Sequence, residues 1–126
     1  MKKKILILGG SSDIGQELVR KLLIKNIYDV NLHYHSNKKI IKNLKYKCNL
    51  IKADLSNLNS KNVSKKFGNN YDIIINLVGY LNNQPFKNFK VKEFYKTINI
   101  NSLIPLLVIR NSLNHMKKKK FGRIIN

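Results

Sequence analysis

The feature that most constrains the fold is a glycine-containing turn between a short apolar run and an amphipathic helical pattern. The apolar run covers residues 5–8, the turn covers residues 9–15, and the helical pattern follows directly. Glycines at such a turn let the backbone approach a ligand, and the free N–H groups at the helix start bind phosphate. Ser11 and Ser12 add hydroxyl donors suited to a pyrophosphate. A tight turn without a ligand is the alternative, but the position after the first strand favours nucleotide binding.

The rest of the chain alternates strand-like and helical segments. On the first helix, Ile14, Leu18, Leu22 and Leu23 mark one apolar face. Further strands are predicted at residues 30–34, 50–53, 72–78 and 123–125, and helices at 40–44, 58–67 and 91–116. The strand at 72–78 is apolar on both faces, which is typical of the middle of a parallel sheet covered by helices. The alternation predicts an α/β fold with right-handed crossovers.

The length of 126 residues fits one domain with one core. No repeat or flexible linker divides the chain, so residues 1–126 are predicted to form a single unit. The chain stops at Asn126, where a predicted buried strand has only just begun. Natural domains seldom end in this way, and we expect these residues to be the front part of a longer single-domain protein.

The charge of the chain is strongly positive, with 25 Lys and Arg against 6 Asp and Glu and a net charge of +19. Such a charge suggests a polyanion partner. The basic residues are almost all Lys, however, and Asn and Ile are also abundant, a combination that A/T-rich codons produce. No base-reading or aromatic stacking motif accompanies the charge. We therefore expect no nucleic-acid partner, and a polyanion-binding module is the third-ranked hypothesis.

The location predicted from the sequence is the cytoplasm. The single cysteine, Cys48, cannot form an internal disulfide, which favours a reducing compartment. The apolar run after the N-terminal lysines is too short for a signal peptide, and the run at residues 103–109 is too short to span a bilayer. We expect no membrane association and predict no metal site.

The turn resembles the fingerprint of a known family. Gly9-x-x-x-Asp13-Ile14-Gly15 is similar to the Gly-x-x-x-Gly-x-Gly pattern of the short-chain dehydrogenases/reductases, with Asp13 at the middle glycine and Leu8 at the usual Thr. Asp adopts a left-handed backbone more readily than most residues and is a good N-cap, with Gln16 at the capping-box position. Its carboxylate would also repel a pyrophosphate. The resemblance implies a Rossmann-type doubly wound parallel sheet of about five strands, three-layered and incomplete at the C-terminus, that binds NAD(P).

Two further motifs follow in family order. Ala53-Asp54-Leu55 resembles the acidic motif whose Asp and neighbour contact the adenine ring; alternatively, Asp54 only caps the next turn. Asn76-Leu77-Val78-Gly79 resembles the Asn-Asn-Ala-Gly segment that steadies the sheet and lines the nicotinamide-ribose side. Its first Asn and its Gly are kept.

The long helix contains the place of the family's catalytic asparagine. Counted back from the helix end before Gly-Arg-Ile, this place falls on Asn101. The resemblance implies that Asn101 perturbs the helix and helps to hold a water in the proton relay. Asn99 is an alternative match, and either residue could be an ordinary surface Asn. Pro105 fits a disturbed helix, because proline cannot donate to the carbonyl of Asn101.

The end of the second strand predicts which dinucleotide is bound. Enzymes of this fold that use NAD place an acid there to bind the ribose 2′-OH, whereas residues 33–39 contain none. Lys38 or Lys39 would attract a 2′-phosphate, and His35 or Ser36 would contact it. NADP is therefore the predicted cofactor, with NAD second; the alternative is that these are ordinary exposed loop residues.

The resemblance implies hydride transfer between nicotinamide and a carbonyl or alcohol carbon of a small molecule, as in a 3-oxoacyl reductase. The family's catalytic Ser, Tyr and Lys would lie beyond Asn126, since the tail resembles the strand that leads to the Ser. Tyr34 and Lys38 have the Tyr-x-x-x-Lys spacing but sit far from the expected hydride site. We expect residues 1–126 alone to be inactive and the full-length protein to form a homo-oligomer through its long helix. A non-catalytic nucleotide-binding or sensor domain is the alternative.

Overall fold

The computed structural model describes residues 1–36 and 47–126, and in them strands alternate with helices as predicted. The strands are β1 (Lys3–Leu8), β2 (Tyr28–Tyr34), β3 (Asn49–Lys52), β4 (Ile73–Asn76) and β5 (Arg123–Ile125). The α-helices are α1 (Asp13–Lys25), α2 (Val63–Phe67), α3 (Val91–Ile98) and α4 (Ile104–Lys118). Short 3-10 turns cover Ser60–Asn62 and Phe86–Asn88. The helix expected at residues 40–44 lies outside the described residues.

All five strands form one parallel sheet in the order β3-β2-β1-β4-β5. Ile5 of β1 is in register with Val30 of β2 on one side and Ile73 of β4 on the other. The chain therefore reverses its direction of growth at β1, so that β1 and β4 open a crevice at their carboxyl ends, where open α/β sheets bind ligands. The predicted Rossmann-type α/β fold is confirmed, as is the position of β4 between two other strands.

Two separate cores cover the two faces of the sheet, because successive side chains of a strand point to opposite faces. Ile5 and Ile7 pack with β2 and with Val19 of α1. Leu6 and Leu8 pack with residues of α2 and α4. The three-layer arrangement thus follows directly from β1, in which four consecutive apolar side chains are at most 1% exposed.

Two details of burial differ from the prediction. Ile14 is 74% exposed, and the buried face of α1 instead contains Gly15 and Val19, because Ile14 lies in the first turn beside the loop and not over the sheet. Ile124 and Ile125 were expected in a buried strand but are 42% and 52% exposed. They belong to the outermost strand, which pairs only with β4.

The long helical pattern is divided by a π-helical segment, Asn99–Leu103, between α3 and α4. Pro105 follows this segment at the start of α4, where its missing N–H cannot bond the carbonyl of Asn101. The predicted helix disturbance is confirmed. After the other end of α4, Lys120 has a left-handed backbone (φ +50°). Gly122 is needed for space, since a Cβ there would lie 2.7 Å from Sδ of Met116.

Within residues 1–36 and 47–126, no helix combines the length and apolar composition needed to cross a membrane.

Candidate functional site

The glycine turn lies at the carboxyl end of β1 and is held by close backbone packing. Gly9 has a left-handed backbone (φ +73°), and a Cβ at this position would lie 3.0 Å from the carbonyl carbon of Leu77. A Cβ at Gly15 would lie 2.7 Å from the backbone of Gly10. Only glycine fits either position, because an added carbon would push apart the first turn of α1, the loop and the segment after β4. This close packing leaves the start of α1 open towards the crevice.

Ser12, and not Asp13, is the N-cap of α1. Ser12 has an extended backbone, and its Oγ accepts a hydrogen bond from the Gly15 N–H at 3.1 Å. Asp13 is already helical and has no left-handed backbone. The prediction that Asp13 caps the helix is wrong, because the hydroxyl one residue earlier already reaches the N–H of the third helical residue. Gln16 does not complete a capping box; its Nε2 donates to the Ser11 carbonyl at 3.3 Å.

A cleft of about 520 Å³ opens where the carboxyl ends of the central strands meet. Four chain segments line it: the glycine turn, the ends of β2 and β3, the segment after β4, and one side of α3 with the π-helical segment. Its lining residues are Gly9, Ser11, Ser12, His33, His35, Ala53, Asp54, Leu55, Ser56, Leu77, Val78, Gly79, Tyr80, Lys96 and Ile100.

Nine of the predicted site residues lie in the lining of this cleft: Gly9, Ser11, Ser12, His35, Asp54, Leu55, Leu77, Val78 and Gly79. The other predicted residues lie around it. Asp13 and Ile14 are exposed at the start of α1, and Ser36 is exposed after β2. Gly15 is buried beneath the loop, and Asn76 pairs with Leu8 in the sheet. Lys38 and Lys39 lie outside the described residues.

Asp54 lies in the lining of the cleft, and its carboxylate also accepts hydrogen bonds from the turn that follows it. Oδ1 accepts from the Ser56 N–H at 2.9 Å and from the Ser56 hydroxyl at 2.7 Å, and Oδ2 accepts from Asn57 at 2.9 Å. The hydrogen bond from the Ser56 hydroxyl is the main cause that lowers the pKa of the Asp54 carboxyl. His35 lies 3.7 Å from Oδ2. Asp54 is therefore held as an anion in a fixed position, so that the capping role and a place in the cleft are compatible.

The segment after β4 is tied to β1 and to its own strand end. The Leu77 N–H donates to the Leu8 carbonyl at 2.9 Å, which extends the pairing of β4 with β1. The side chain of Asn76 accepts a 3.4 Å contact from the Val78 N–H. These bonds turn the chain at the top of the sheet and bring Leu77 against Gly9, closing the base of the cleft.

Asn101 holds the backbone of Tyr80 through both ends of its amide. Its Oδ1 accepts from the Tyr80 N–H at 2.7 Å, and its Nδ2 donates to the Tyr80 carbonyl at 2.8 Å. The π-helical segment provides the turn from which this side chain reaches across. Asn99 instead donates to the Ser56 carbonyl at 3.4 Å. Of the two candidates, Asn101 is the residue that connects the disturbed helix to the end of the segment after β4.

A family model described as short chain dehydrogenase matches residues 3–126. This chain belongs to the short-chain dehydrogenase family. A curated relative, 2-dehydro-3-deoxy-D-gluconate 5-dehydrogenase of Formosa agariphila, is 28% identical over 86 residues, which are 68% of this chain and 32% of the relative.

Solved structures share the fold of this chain. A protein of Bacillus thuringiensis assigned as a 3-oxoacyl-reductase superposes with a TM-score of 0.81 at 23% identity, over 100% of this chain and 57% of its own. Serine dehydrogenase from Escherichia coli superposes with a TM-score of 0.77 at 19% identity, over 98% of this chain and 60% of its own. The chain thus spans about a third of the curated relative and little more than half of these solved structures.

Tyr34 and Lys38 have the Tyr-x-x-x-Lys spacing, and of the two only Tyr34 is among the described residues. Tyr34 is the last residue of β2 and packs against the core under α1, and it does not line the cleft. Lys38, its partner in the Tyr-x-x-x-Lys spacing, lies outside the described residues. The position of Tyr34 agrees with its interpretation as a residue without a catalytic role.

Six residues that line the cleft were not predicted from the sequence: His33, Ala53, Ser56, Tyr80, Lys96 and Ile100. His33 left a detectable signal, since it lies in a predicted strand and an ionisable side chain needs hydrogen-bond partners once the strand is buried. Lys96 and Tyr80 left none, because they meet only through the tertiary fold, with Lys96 Nζ 4.1 Å from the centre of the Tyr80 ring. Tyr80 also donates to Glu93 at 2.6 Å.

Proposed function

We propose that the full-length protein carrying this chain is an NADP-dependent oxidoreductase that acts on a carbonyl or alcohol carbon of a small molecule. The observation that carries this proposal is the convergence of the glycine turn, the ends of β2 and β3 and the segment after β4 on one cleft of about 520 Å³. Membership of the short-chain dehydrogenase family supports it.

The residues present fit a nicotinamide dinucleotide. The turn has no side chain at Gly9, where a Cβ would lie 3.0 Å from Leu77, so the backbone is free to approach a pyrophosphate. Ser11 and Ser12 offer hydroxyl groups beside it, while Asp54 and Leu55 form the wall on the adenine side. When bound, the dinucleotide donates or accepts a hydride. The chain's own residues bind and orient it, and Asn101 fixes the Tyr80 backbone next to the nicotinamide side.

The preference for NADP rests on the end of β2. His35 and Ser36 are exposed there, with no carboxylate at the position that would bind a ribose 2′-OH. The nearest acid, Asp54, is engaged by Ser56 and Asn57. Lys96 adds a cation to the cleft lining. These features favour a cofactor with an additional phosphate.

The cofactor proposal is tested by fluorescence titration of the full-length protein with NADPH and NADH. We expect NADPH to bind at least about tenfold more tightly, the effect of roughly one charge-assisted contact. Ser36→Asp should reverse this preference, whereas Ser60→Asp, an exposed change remote from the cleft, should not. Equal or tighter binding of NADH to the unchanged protein would contradict the NADP assignment.

The activity proposal is tested by following NADPH absorbance with a panel of aldehydes, ketones and 3-oxoacyl thioesters. We expect turnover by the full-length protein and none by purified residues 1–126. Tyr34→Phe should leave turnover unchanged.

Dinucleotide binding without turnover in the full-length protein would instead favour the nucleotide-binding or sensor role. A steep loss of random-sequence DNA binding with salt would favour the polyanion-binding hypothesis.

The full-length protein is also proposed to be a homo-oligomer. Apolar side chains of α3 are half exposed or more at Val91 (58%), Phe94 (50%) and Tyr95 (63%). A surface of this kind favours association, because removing apolar area from water is stabilising. Light scattering of the full-length protein should show a dimer or larger species, and Phe94→Glu should shift it towards monomer. A cytoplasmic location stays a prediction.

A further inference from the structure

His33 lies in β2 with only 3% of its surface exposed, yet its ring reaches the wall of the cleft. It is one of four buried polar or charged residues among the described parts of the chain. Its ring edge packs against Phe67 of α2, with the ring centres 5.6 Å apart. A buried imidazole in this position requires hydrogen-bond partners for both nitrogens.

Both ring nitrogens of His33 have partners, and the partners belong to two different walls of the cleft. The Gly9 N–H donates to Nδ1 at 3.1 Å, and Nε2 lies 3.1 Å from the Ala53 carbonyl. The next amide of the glycine turn, Gly10 N–H, donates to the backbone carbonyl of His33 at 3.0 Å. His33 thus accepts hydrogen bonds from the N–H groups of Gly9 and Gly10, and its Nε2 contacts the chain just after β3.

These partners define the protonation state of the ring. An amide N–H only donates, so Nδ1 must be unprotonated; a carbonyl only accepts, so Nε2 must carry the proton. The neutral Nε2–H tautomer satisfies both bonds. A doubly protonated ring would present an N–H to the Gly9 N–H and lose that bond.

We propose that His33 is a positioning residue for the dinucleotide cleft: its neutral ring holds the Gly9 amide and the Ala53 carbonyl at a fixed separation, and protonation of the ring releases the glycine turn. This inference rests on the proposed function, since the turn and the end of β3 are the segments assigned to the pyrophosphate and the adenosine. It assigns to β2 a role in preorganising the cleft.

The groups around His33 favour the neutral ring at physiological pH. Burial is the main cause that lowers the pKa of His33 below its ordinary value of 6.5, and the bond to Ala53 opposes this. His35 on the same strand and Lys66 on α2 lower the pKa further through their charge. The carboxylate in the cleft lining, Asp54, lies 3.7 Å from His35. The turn is therefore still held at pH 6.5 and is released only as the pH falls through the lowered pKa of His33.

A direct electrostatic effect would have the opposite sign. An extra positive charge beside the cleft would strengthen binding of an anionic dinucleotide as the pH falls. Loss of the Gly9 bond would weaken it. The direction of the pH dependence therefore separates a positioning role from a charge effect.

The binding test uses full-length protein with His35→Asn as background, which removes the other imidazole of the cleft. NADH, whose ribose carries no titrating phosphate, is titrated alongside NADPH between pH 5 and 8. We expect affinity to fall at acid pH with His33 present. His33→Asn, which places an amide oxygen near the Nδ1 position, should keep the neutral-pH affinity within about threefold and flatten the profile. His33→Phe should bind roughly tenfold more weakly than the parent at neutral pH, the order expected for one buried hydrogen bond, and should show no fall in affinity at acid pH.

His115→Asn is the matched control, because His115 lies at the opposite end of the sheet, 3.0 Å from Asp72. It should leave the pH profile of binding unchanged. An unaltered profile in His33→Asn, or a loss of affinity equal to that of His33→Phe, would overturn the proposal.

A measurement without ligand keeps the proposal testable if His33→Phe does not fold or no dinucleotide binds. Nitrogen-15 NMR of the unmodified protein should show the Nε2–H tautomer of His33, and the protection of the Gly9 amide against exchange, relative to its intrinsic rate at each pH, should fall as the ring titrates. An Nδ1–H tautomer, or Gly9 exchange independent of that titration, would refute the positioning role. Absence of dinucleotide binding with the expected tautomer and exchange would refute the proposed function alone.

Discussion

At the carboxyl ends of the strands, polar groups face a cleft of about 520 Å³, whereas at the amino ends a carboxylate is closed in by its own partners. That carboxylate belongs to Asp72, whose side chain is 2% exposed. Its Oδ2 accepts from the Lys4 N–H at 2.8 Å, and its Oδ1 accepts from His115 and Lys119 at 3.0 Å each. The carboxyl ends of the strands therefore border an open cleft, whereas the carboxylate at the amino ends has both oxygens hydrogen-bonded.

The closed end joins elements that are distant in sequence. Asp72 precedes β4 and Lys4 belongs to β1, while His115 lies in the last turn of α4 and Lys119 follows its last residue. Burial alone would raise the pKa of the Asp72 carboxyl, but the bonds from Lys4, Lys119 and His115 together lower it. The comparison indicates that a buried charge with saturated partners serves stability, whereas backbone without side chains, as at Gly9, leaves room for a ligand. Variants at the two ends should therefore separate binding from stability.

The largest expected effect is at the open end, where Gly15→Asp should raise the dissociation constant for NADPH by about 100-fold or more. The new Cβ would lie 2.7 Å from the Gly10 backbone, and the carboxylate would repel a pyrophosphate. Fluorescence titration of the full-length protein measures the effect. Ile24→Asp adds the same charge to the 77% exposed end of α1 and should bind normally. Unchanged NADPH affinity in Gly15→Asp would show that the glycine turn does not bind the dinucleotide.

Asn101→Ala should lower kcat of the full-length protein by about 10- to 100-fold, the range for small misplacement of a catalytic group. Its amide holds both the N–H and the carbonyl of Tyr80, and the change frees that backbone. Asn99→Ala, which removes only a 3.4 Å contact with Ser56, should stay within about threefold. A larger loss of kcat in Asn99→Ala than in Asn101→Ala would indicate that Asn99, and not Asn101, occupies the place of the catalytic asparagine.

At the closed end, Asp72→Asn should reduce the free energy of unfolding by about 2 kcal/mol and leave NADPH affinity unchanged. The expected loss of stability is moderate because Lys119 is 43% exposed, so that solvent screens its attraction to Asp72. The folded pKa of Asp72 lies below its ordinary 3.8, so this stabilisation is complete above that value and is lost as the pH falls through the folded pKa. Urea unfolding at pH 7 and pH 3 should show a smaller difference at pH 3. Glu17→Gln, an exposed carboxylate, serves as control and should change stability by less than about 0.5 kcal/mol.

The smallest expected effect concerns Ser112, a fully buried residue of α4 whose hydroxyl has no hydrogen-bond partner among the described residues. Ser112→Ala should raise the free energy of unfolding by about 0.5 kcal/mol, since it removes an uncompensated polar atom at little cost in volume. Urea unfolding beside Ser60→Ala, an exposed serine, gives the comparison. A loss above 1 kcal/mol would show that the hydroxyl contributes to the closed end of the sheet.

Local patterns in the sequence were sufficient for the order of the strands and helices among the described residues. Residues 5–8 are apolar without interruption because both faces of β1 are covered, and the glycine turn follows because the chain must bend sharply into α1. Pro105 marked the disturbed helix, since its effect is on the neighbouring backbone. Such features depend on residues a few positions apart, and for that reason they are visible in a single sequence.

What the sequence alone determined is therefore the α/β architecture, the family and nine of the residues that line the cleft. Only the tertiary structure decided that Ser12 caps α1 in preference to Asp13, that Asn101 and not Asn99 reaches Tyr80, and that His33 joins Gly9 to Ala53. It also brought Asp72 to His115, 43 positions later. These choices depend on distances between segments far apart in the chain. A difference of one residue in a helix or strand turns a side chain to another face, and periodicity alone does not record which partner it meets there.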